Sequence, residues 1–510
     1  MMAALERPGT IDALRAVLAA DARAVEGTVV LTGLADDSRR VEPGMAFFAR
    51  RGSQADGAGF VADARARGAA VVIADRDLED GGPTLLVSDV ADALRKAADA
   101  WFGAPQQDLG LIGITGTKGK TTTATITAAA LRACGRSPAV LGTIGYELGT
   151  AGTEPSGNTT PGALELRRLL AKARDEGGCD SAVLEVSSHA LHQERTAGLA
   201  FGVGAFTNLA SDHLDYHGDP QAYFEAKALL FSGLAPEATA VLNREDAAWS
   251  RFAARVRGSV LTYGFSPEAD LCATDIELSP DGTRFRLIVA GEGERDVATP
   301  MVGMHNVLNI LAALGSCAGL GLDPMVAADG AASVTLVPGR LERVESTTDV
   351  QAFVDYAHTE DALRQVLVFL RTVGAVPVTC VIGCGGDRDR SKRPRMARVA
   401  AELADTAIFT SDNPRTEDPI AILADMTSGL SAEERAEVAV IPDRAAAITH
   451  AVREAPPGAT VLVAGKGHET YQILGTEKLP FDDAAELRRA LTARARADSE
   501  GPEAWGASQA

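Results

Sequence analysis

Cysteine is scarce in this 510-residue chain: six residues, Cys134, Cys179, Cys272, Cys317, Cys380 and Cys384, are scattered without a paired framework. That pattern excludes a disulfide-stapled scaffold and demands no oxidising compartment. Cys380 and Cys384 share the stretch VTCVIGCGG but have no second Cys/His pair, so they read as buried, inert thiols rather than metal ligands. Long apolar runs are missing as well; the longest are strand-sized, and membrane insertion is not expected. The N-terminus lacks a basic region followed by an apolar run, so no signal peptide is legible and a cytoplasmic protein is expected. Positive charge is in deficit: 49 Lys plus Arg face 69 Asp plus Glu, a formal net charge of −20. Such a surface repels polyphosphate backbones and anionic lipid, which argues against nucleic-acid or membrane-surface binding. A small anionic substrate stays compatible, because a local cluster of donors overrides the global field. Aromatics make up only 5% of the chain, yet 46% hydrophobic and 23% charged residues with 51 Gly place it among globular proteins.

What the chain does contain is alternation. Short β-branched apolar runs alternate with Ala/Leu-rich amphipathic stretches, the pattern of strand-helix-strand units with parallel sheets, so the fold class is α/β. The length favours three domains. Residues 1–107 contain VVLTGL, AAVVIAD and TLLVSD and close on the helical ADALRKAADAWFG before Ala-Pro, a linker. Residues 108–337 open with LGLIGI and carry AVLGTIG, AVLEVSS, GAFTNL and TAVLN, a central parallel sheet of P-loop type. Its later part, ATDIELSPDGTRFRLIVAG, alternates polar and apolar residues around Pro-Asp-Gly and predicts an antiparallel appendage. Residues 338–497 run through FVDYAH, VTCVIGCGG, TAIFTSD, VAVIPD and TVLVAGKG, a Rossmann-like C-terminal domain, and residues 498–510 are expected to be a disordered tail.

The sharpest local signal is GITGTKGKTTT, residues 113–123, between a predicted strand and the helical stretch TTATITAAALRAC. A glycine turn ahead of a helix presents free N–H groups and the positive dipole end to phosphates; Lys120 reaches the terminal phosphates and Thr121 can ligate Mg²⁺. The strict G-x-x-x-x-G-K-[ST] spacing fails, since Ile114 stands where the first glycine belongs, so this is a variant loop. The competing reading is an ordinary glycine turn with a surface lysine.

The variant TGTKGKTT resembles the signature of the Mur ligase superfamily, which joins amino acids to the peptidoglycan precursor. NTTPG, EVSSHALHQER, FTNLASDHLDYHG, YFEAKALLF, MHNVLN, PGRLE, DYAHT, GCGGDRDRSKRP and AGKGHETYQ resemble that family in order and spacing over most of the chain. The resemblance implies ATP-dependent amide formation through an acyl phosphate, with Gly116, Thr117, Lys118, Gly119, Lys120, Thr121 and Thr122 around ATP and Asn306, Arg340, Asp355 and His358 completing its site on domain closure. It implies that Glu185 and His213, each at the end of a predicted strand, ligate Mg²⁺ with Thr121. Lys227 matches the family's lysine that becomes a CO₂-derived carbamate, an anion able to help hold a second magnesium. Lys120, Lys227, Glu185 and His213 are thus the expected catalytic set. For a UDP-N-acetylmuramoyl dipeptide the implied contacts are Ser38, Ser53, Gln54, Ala55, Asn158, Thr159, Thr160, Ser187, Gln193 and Arg195.

SDNPRTEDP, residues 411–419, resembles the segment of the diaminopimelate-adding members. A distal amine and carboxylate call for acceptors and a planar donor, which Asp412, Asn413, Pro414 and Arg415 supply, with Arg388, Gly465 and Glu469 as further partners. Lys118 departs from the asparagine common in the loop, and Glu360 from the usual proline. A lysine-adding or folylpolyglutamate-type ligase and a catalytically silent nucleotide-binding module are the alternatives. A monomer is expected.

Overall fold

In this computed structural model the described residues are 8–25, 29–52, 55–78, 80–210, 212–279 and 282–500. They divide into two compact units: Met1–Asp275 with Phe285–Val297 and His305–Ser333, and Ile276–Arg284 with Ala298–Met304 and Val334–Ala510.

The first unit holds two sheets. The smaller has the strand order Asp21–Arg23, Thr84–Leu86, Val71–Ala74, Met45–Phe48, Gly33–Ala35, parallel except at Asp21–Arg23. Val71, Val72, Ile73 and Phe48 are fully buried in it, as expected of a parallel sheet covered on both faces. Helix Val90–Phe102 shows how the local sequence sets an element. Asp89 accepts the N–H groups of Ala91 and Asp92 at its start, Val90, Ala93, Leu94, Ala97 and Trp101 bury one stripe, and left-handed Gly103 ends it.

The larger sheet has a parallel centre ordered Ser259–Gly264, Thr239–Asn243, Val203–Phe206, Gly110–Thr115, Ser181–Glu185, Pro138–Leu141. Gly110–Thr115 lies in the middle, so the loop after it opens at the carboxyl edge between neighbours from different parts of the chain, where ligands of α/β sheets bind. Phe206, Phe224 and Phe231 surround Phe252 at ring-centroid distances of 4.4, 4.5 and 5.0 Å and cement one face. The expected appendage is present as Leu271–Ser279, Gly282–Val289 and Gly293–Thr299, consecutive in the sheet order.

The second unit carries a sheet ordered Glu342–Val344, Gln351–Asp355, Thr460–Ala464, Val378–Cys384, Thr406–Ser411, Ala439–Val440, parallel except at Glu342–Val344. Val378–Cys384 is buried at every position, which is why its sequence reads as an unbroken apolar run. Cys380 and Cys384 lie inside this core, and burial pushes both thiols up to about 12. A separate hairpin pairs Tyr471–Leu474 with Glu477–Pro480.

Two expectations need correction. The strand before His213 ends at Phe206; His213 lies beyond a loop, with φ 53°, at the start of helix Leu214–His217. Residues 207–210 leave the sheet because their backbone and side chains bind the glycine loop. The tail expected from residue 498 is helical as far as Glu500, because the Ala/Arg-rich ending of Asp483–Glu500 favours the helix; residues 501–510 lie outside the described residues.

Candidate active site

Strand Gly110–Thr115 runs into the loop 116–119 and then into helix Lys120–Ala133. Gly116 has φ 152° and a Cβ there would collide with Thr207 Oγ1; Gly119 has φ 82° and a Cβ would lie 2.6 Å from Asn309 Oδ1. Both positions therefore require glycine. The loop is stitched to the segment after the neighbouring strand. Thr117 N donates to Asn208 O at 2.8 Å, Lys118 N to Asn208 Oδ1 at 3.0 Å, and Thr207 Oγ1 to Lys118 O at 2.6 Å. Lys120 Nζ folds back onto the carbonyls of Gly116 and Thr117, at 2.9 and 3.0 Å. Thr122 is buried in the first turn of the helix.

Lys227 projects from helix Pro220–Ser232 and donates to the same Gly116 carbonyl at 2.8 Å. Burial first, and then the Lys120 ammonium, drive its pKa well below that of an ordinary lysine. The Tyr223 ring lies 4.6 Å from Nζ.

Glu185 closes the adjacent strand Ser181–Glu185 and is only 1% exposed. Its Oε2 accepts from Thr121 Oγ1 at 2.9 Å and Thr143 Oγ1 at 3.1 Å, and its Oε1 from Thr143 N at 2.8 Å. Thr143 Oγ1 also meets Thr159 Oγ1 at 3.1 Å, and Tyr146 Oη donates to Asn158 O at 2.7 Å. Thr160 Oγ1 donates to Glu185 O at 2.8 Å and accepts from Ser187 N at 3.0 Å. Arg195 NH1 donates to Thr160 O at 2.8 Å, and its Nε and NH2 grip Gln193 Oε1 at 3.0 and 2.7 Å. Burial and nearby Arg50 both press the Arg195 pKa down, the signature of a cation crowded by another cation and suited to an anion. The His213 ring lies edge-on to His189 at 4.8 Å.

Of the expected dipeptide contacts, Thr159, Thr160, Ser187, Gln193 and Arg195 thus form one connected group with Glu185 and Thr121, while Asn158, next to Thr159 in the chain, is held by Tyr146. Ser38 is buried in the turn Ser38–Arg40, and Ala55 is exposed with its carbonyl bonded to Gly52 N at 2.8 Å; both belong to the smaller sheet's loops. Ser53 and Gln54 lie outside the described residues. Asn306 is in helix Met304–Gly319 and accepts from Asn309 Nδ2 at 3.1 Å.

In the second unit Arg340 precedes strand Glu342–Val344, and the remaining candidates lie at or after the carboxyl ends of four neighbouring strands. Asp355 accepts Leu341 N and Ala357 N, each at 2.7 Å, Arg340 stacks over Tyr356 at 4.7 Å, and His358 Nδ1 meets Tyr356 O at 2.9 Å. Asp412, Asn413 and Pro414 are buried, and the Gly386 N–H donates to Asn413 O at 2.9 Å. Arg415 NH1 donates to Gly386 O at 2.8 Å. Asn413 Nδ2 donates to Glu469 Oε2 at 2.8 Å, and Gly465, at φ 111°, lies against Asp412 Oδ2. Arg388 is exposed and donates to Asp387 O at 3.1 Å.

Residues 30–101 match the Mur ligase family, catalytic domain; residues 114–317 the Mur ligase middle domain; and residues 339–467 the Mur ligase, glutamate ligase domain. A UDP-N-acetylmuramoyl-L-alanyl-D-glutamate–2,6-diaminopimelate ligase of Geobacillus kaustophilus (strain HTA426) is 44% identical over 92% of this chain and 96% of its own length. The chain belongs to the Mur ligase family. A ligase of the same name from Solibacter usitatus (strain Ellin6076) is 47% identical over 90% of this chain and 93% of its own. A solved structure of a ligase of that name superposes with a TM-score of 0.64 at 35% identity, covering 91% of this chain and 96% of that one. MurF from Acinetobacter baumannii, at 20% identity and a TM-score of 0.65, shares the fold.

In this Mur ligase the donors near the loop fit a hard dication bound together with phosphates. Among the described residues no three His, Cys, Asp or Glu side chains form a ready-made metal cage. The Thr121 hydroxyl and the Glu185 carboxylate instead offer hard oxygens at a helix N-terminus, which suits Mg²⁺, an ion that keeps waters and phosphate oxygens among its ligands. Lys227 as an unmodified side chain offers no oxygen for such an ion. Thr143, Thr207, Asn208, Asn309, Arg50 and Lys466 were not singled out in the sequence; each acts through a partner distant along the chain, and the local clue is that Thr207 and Asn208 fall in FTNLASDHLDYHG, Asn309 in MHNVLN and Lys466 in AGKGHETYQ. Among the described residues no helix is long and apolar enough to cross a membrane.

Proposed function

We propose that this Mur ligase joins 2,6-diaminopimelate to UDP-N-acetylmuramoyl-L-alanyl-D-glutamate, using ATP, in the synthesis of the peptidoglycan precursor. The observation that carries this reading is the single hydrogen-bonded group running from the glycine loop through Thr121 and Glu185 to Thr160, Ser187 and Arg195. It sets groups suited to a substrate carboxylate beside a cradle suited to phosphates.

Backbone N–H groups of the loop and the first turn, with Lys120 and Thr122, take the ATP phosphates, and Asn306, Arg340, Asp355 and His358 contact the nucleotide. Arg195, Gln193, Asn158, Thr159, Thr160 and Ser187 orient the D-glutamyl end of the dipeptide, while Ser38, Ser53, Gln54 and Ala55 bind its uridine diphosphate. A γ-carboxylate oxygen attacks the γ-phosphorus of ATP, ADP leaves, and an acyl phosphate remains. The neutral amine of diaminopimelate attacks the acyl carbon, the C–O bond breaks, phosphate departs with the electron pair, and the nitrogen gives up one proton to leave the amide. Thr121, Glu185 and His213 would hold Mg²⁺, which would supply positive charge to lower the repulsion between these anions. Asp412, Asn413, Arg415, Arg388, Gly465 and Glu469 bind the amino acid, with Arg415 for its distal carboxylate.

Lys227 carries a CO₂-derived carbamate in the working enzyme, a reading supported by its burial and by the second ammonium on the same carbonyl, since only a neutral amine attacks CO₂. A ¹³C carbamate resonance from protein in labelled bicarbonate, lost in Lys227→Ala, tests it. Residues 1–107 serve the uridine end, 108–337 ATP and 338–497 the amino acid, in a cytoplasmic monomer. Incubation with ATP, Mg²⁺, the UDP-muramoyl dipeptide and each candidate amino acid, followed by mass spectrometry, tests the whole: diaminopimelate tripeptide is expected, and a product with lysine instead would overturn the acceptor assignment.

A further inference from the structure

Lys466 plays no part in the chemistry above, yet its side chain is fully buried. A buried ammonium is costly unless its charge is paired and its donors are used. Here Nζ donates to Glu469 Oε2 at 3.1 Å and to Asn413 Oδ1 at 3.2 Å, 5.6 Å from the Tyr471 ring centroid. Ile473 N donates to the same Asn413 oxygen at 2.9 Å. Two donors converging on one atom identify it as the amide oxygen, which turns Asn413 Nδ2 toward Glu469 Oε2 at 2.8 Å. Lysine, asparagine and glutamate therefore close a ring in which each side chain fixes the other two. Glu469 Oε2 is engaged twice, so Oε1 is left as the oriented acceptor.

We propose that Lys466 is a positioning residue for the incoming amino acid: it locks the amide of Asn413 and the carboxylate of Glu469 so that Glu469 Oε1 meets the substrate ammonium. This rests on the reading of Asn413 and Glu469 as diaminopimelate contacts. Lys466 touches no substrate. Its positive charge opposes that of the ammonium, so its benefit is geometric, and removing it frees both partners to rotate.

The test is a double-substitution cycle on the full chain, read by phosphate release with diaminopimelate varied against saturating ATP, Mg²⁺ and UDP-muramoyl dipeptide. Lys466→Met and Glu469→Ala should each raise KM for diaminopimelate about tenfold or more, with KM for ATP unchanged. The double variant should stay within about twofold of Glu469→Ala, because Lys466 acts only through that carboxylate and its amide partner. A lysine that merely supports the fold gives multiplying effects, and that result, or an unchanged KM in Lys466→Met, overturns the inference. If Lys466→Met does not fold, Lys466→Gln, which keeps one donor, carries the same comparison with a smaller rise. An unchanged KM in Glu469→Ala would instead sink the assignment of the amino-acid site and this inference with it, whereas a raised KM there beside an unchanged one in the lysine variants sinks only the inference.

Discussion

Replacing Arg444 with methionine tests how the second unit holds its loops. Arg444 opens helix Arg444–Glu454, Asp483 opens Asp483–Glu500, and both side chains are 0% exposed. Their contact is bidentate, Nε to Oδ1 and NH2 to Oδ2 at 2.7 Å each, while the remaining donors reach Ser411 O at 3.3 Å and Ala464 O at 3.0 Å. Those carbonyls immediately precede Asp412 and Gly465. Arg444→Met leaves the Asp483 carboxylate buried without its cation, a loss of about 3–5 kcal/mol for one partner of a buried pair. At about 2–4 °C per kcal/mol for a unit of this size, the calorimetric transition containing it should fall by about 10 °C. Arg444→Met with Asp483→Leu should recover most of that loss, because no charge is then stranded, yet KM for diaminopimelate should remain raised because the ties to Ser411 and Ala464 are still missing. A single variant that loses less than about 1 kcal/mol, or a double variant no more stable than the single, would refute the reasoning.

Lys120→Ala should lower kcat by about 10²–10³-fold with the fold intact by circular dichroism, the cost of removing one donor to developing phosphoryl charge. Arg415→Ala should raise KM for diaminopimelate about 10–100-fold in steady-state assays and leave KM for ATP alone, since hydrogen bonds to a charged carboxylate are at stake. Phe252→Ala, at the centre of the ring cluster, should cost about 3–5 kcal/mol in urea unfolding. The Arg168 guanidinium, then Lys172, hold the Glu154 carboxyl down from 4.5 to about 2, so folding gains from this group above about pH 4.5 and the gain vanishes as pH falls toward 2. The stability gap between wild type and Glu154→Gln, measured by urea titration, should therefore be constant near neutrality and close across that acid range.

The parallel strands were legible because a strand buried on both faces must be apolar throughout, as VTCVIGC is, and the glycine loop because its two left-handed or crowded positions admit no side chain. Helix Val90–Phe102 announced its amphipathic pattern and its end before Ala-Pro, although left-handed Gly103 is what stops it. Strand Met45–Phe48 went unread because MAFF carries no β-branched residue to mark it, unlike the VVIA of Val71–Ala74. His213 was misplaced because residues 207–210 turn out of the sheet to bind a loop some ninety positions earlier, a contact no local pattern encodes. The same holds for Lys466, whose partner Asn413 is 53 residues away: a lone lysine after a strand gives no sign of being buried. The family resemblance of NTTPG, EVSSHALHQER and SDNPRTEDP nominated the groups around Glu185 and Asn413, but their hydrogen-bond order needed the fold.

The most direct measurement uses UDP-muramoyl dipeptide with both γ-carboxylate oxygens of D-glutamate replaced by ¹⁸O. If that carboxylate attacks ATP and the amine then displaces phosphate, the inorganic phosphate released during tripeptide formation carries one heavy oxygen per molecule, read by the ³¹P isotope shift. Tripeptide formed with unlabelled phosphate would contradict the acyl-phosphate route.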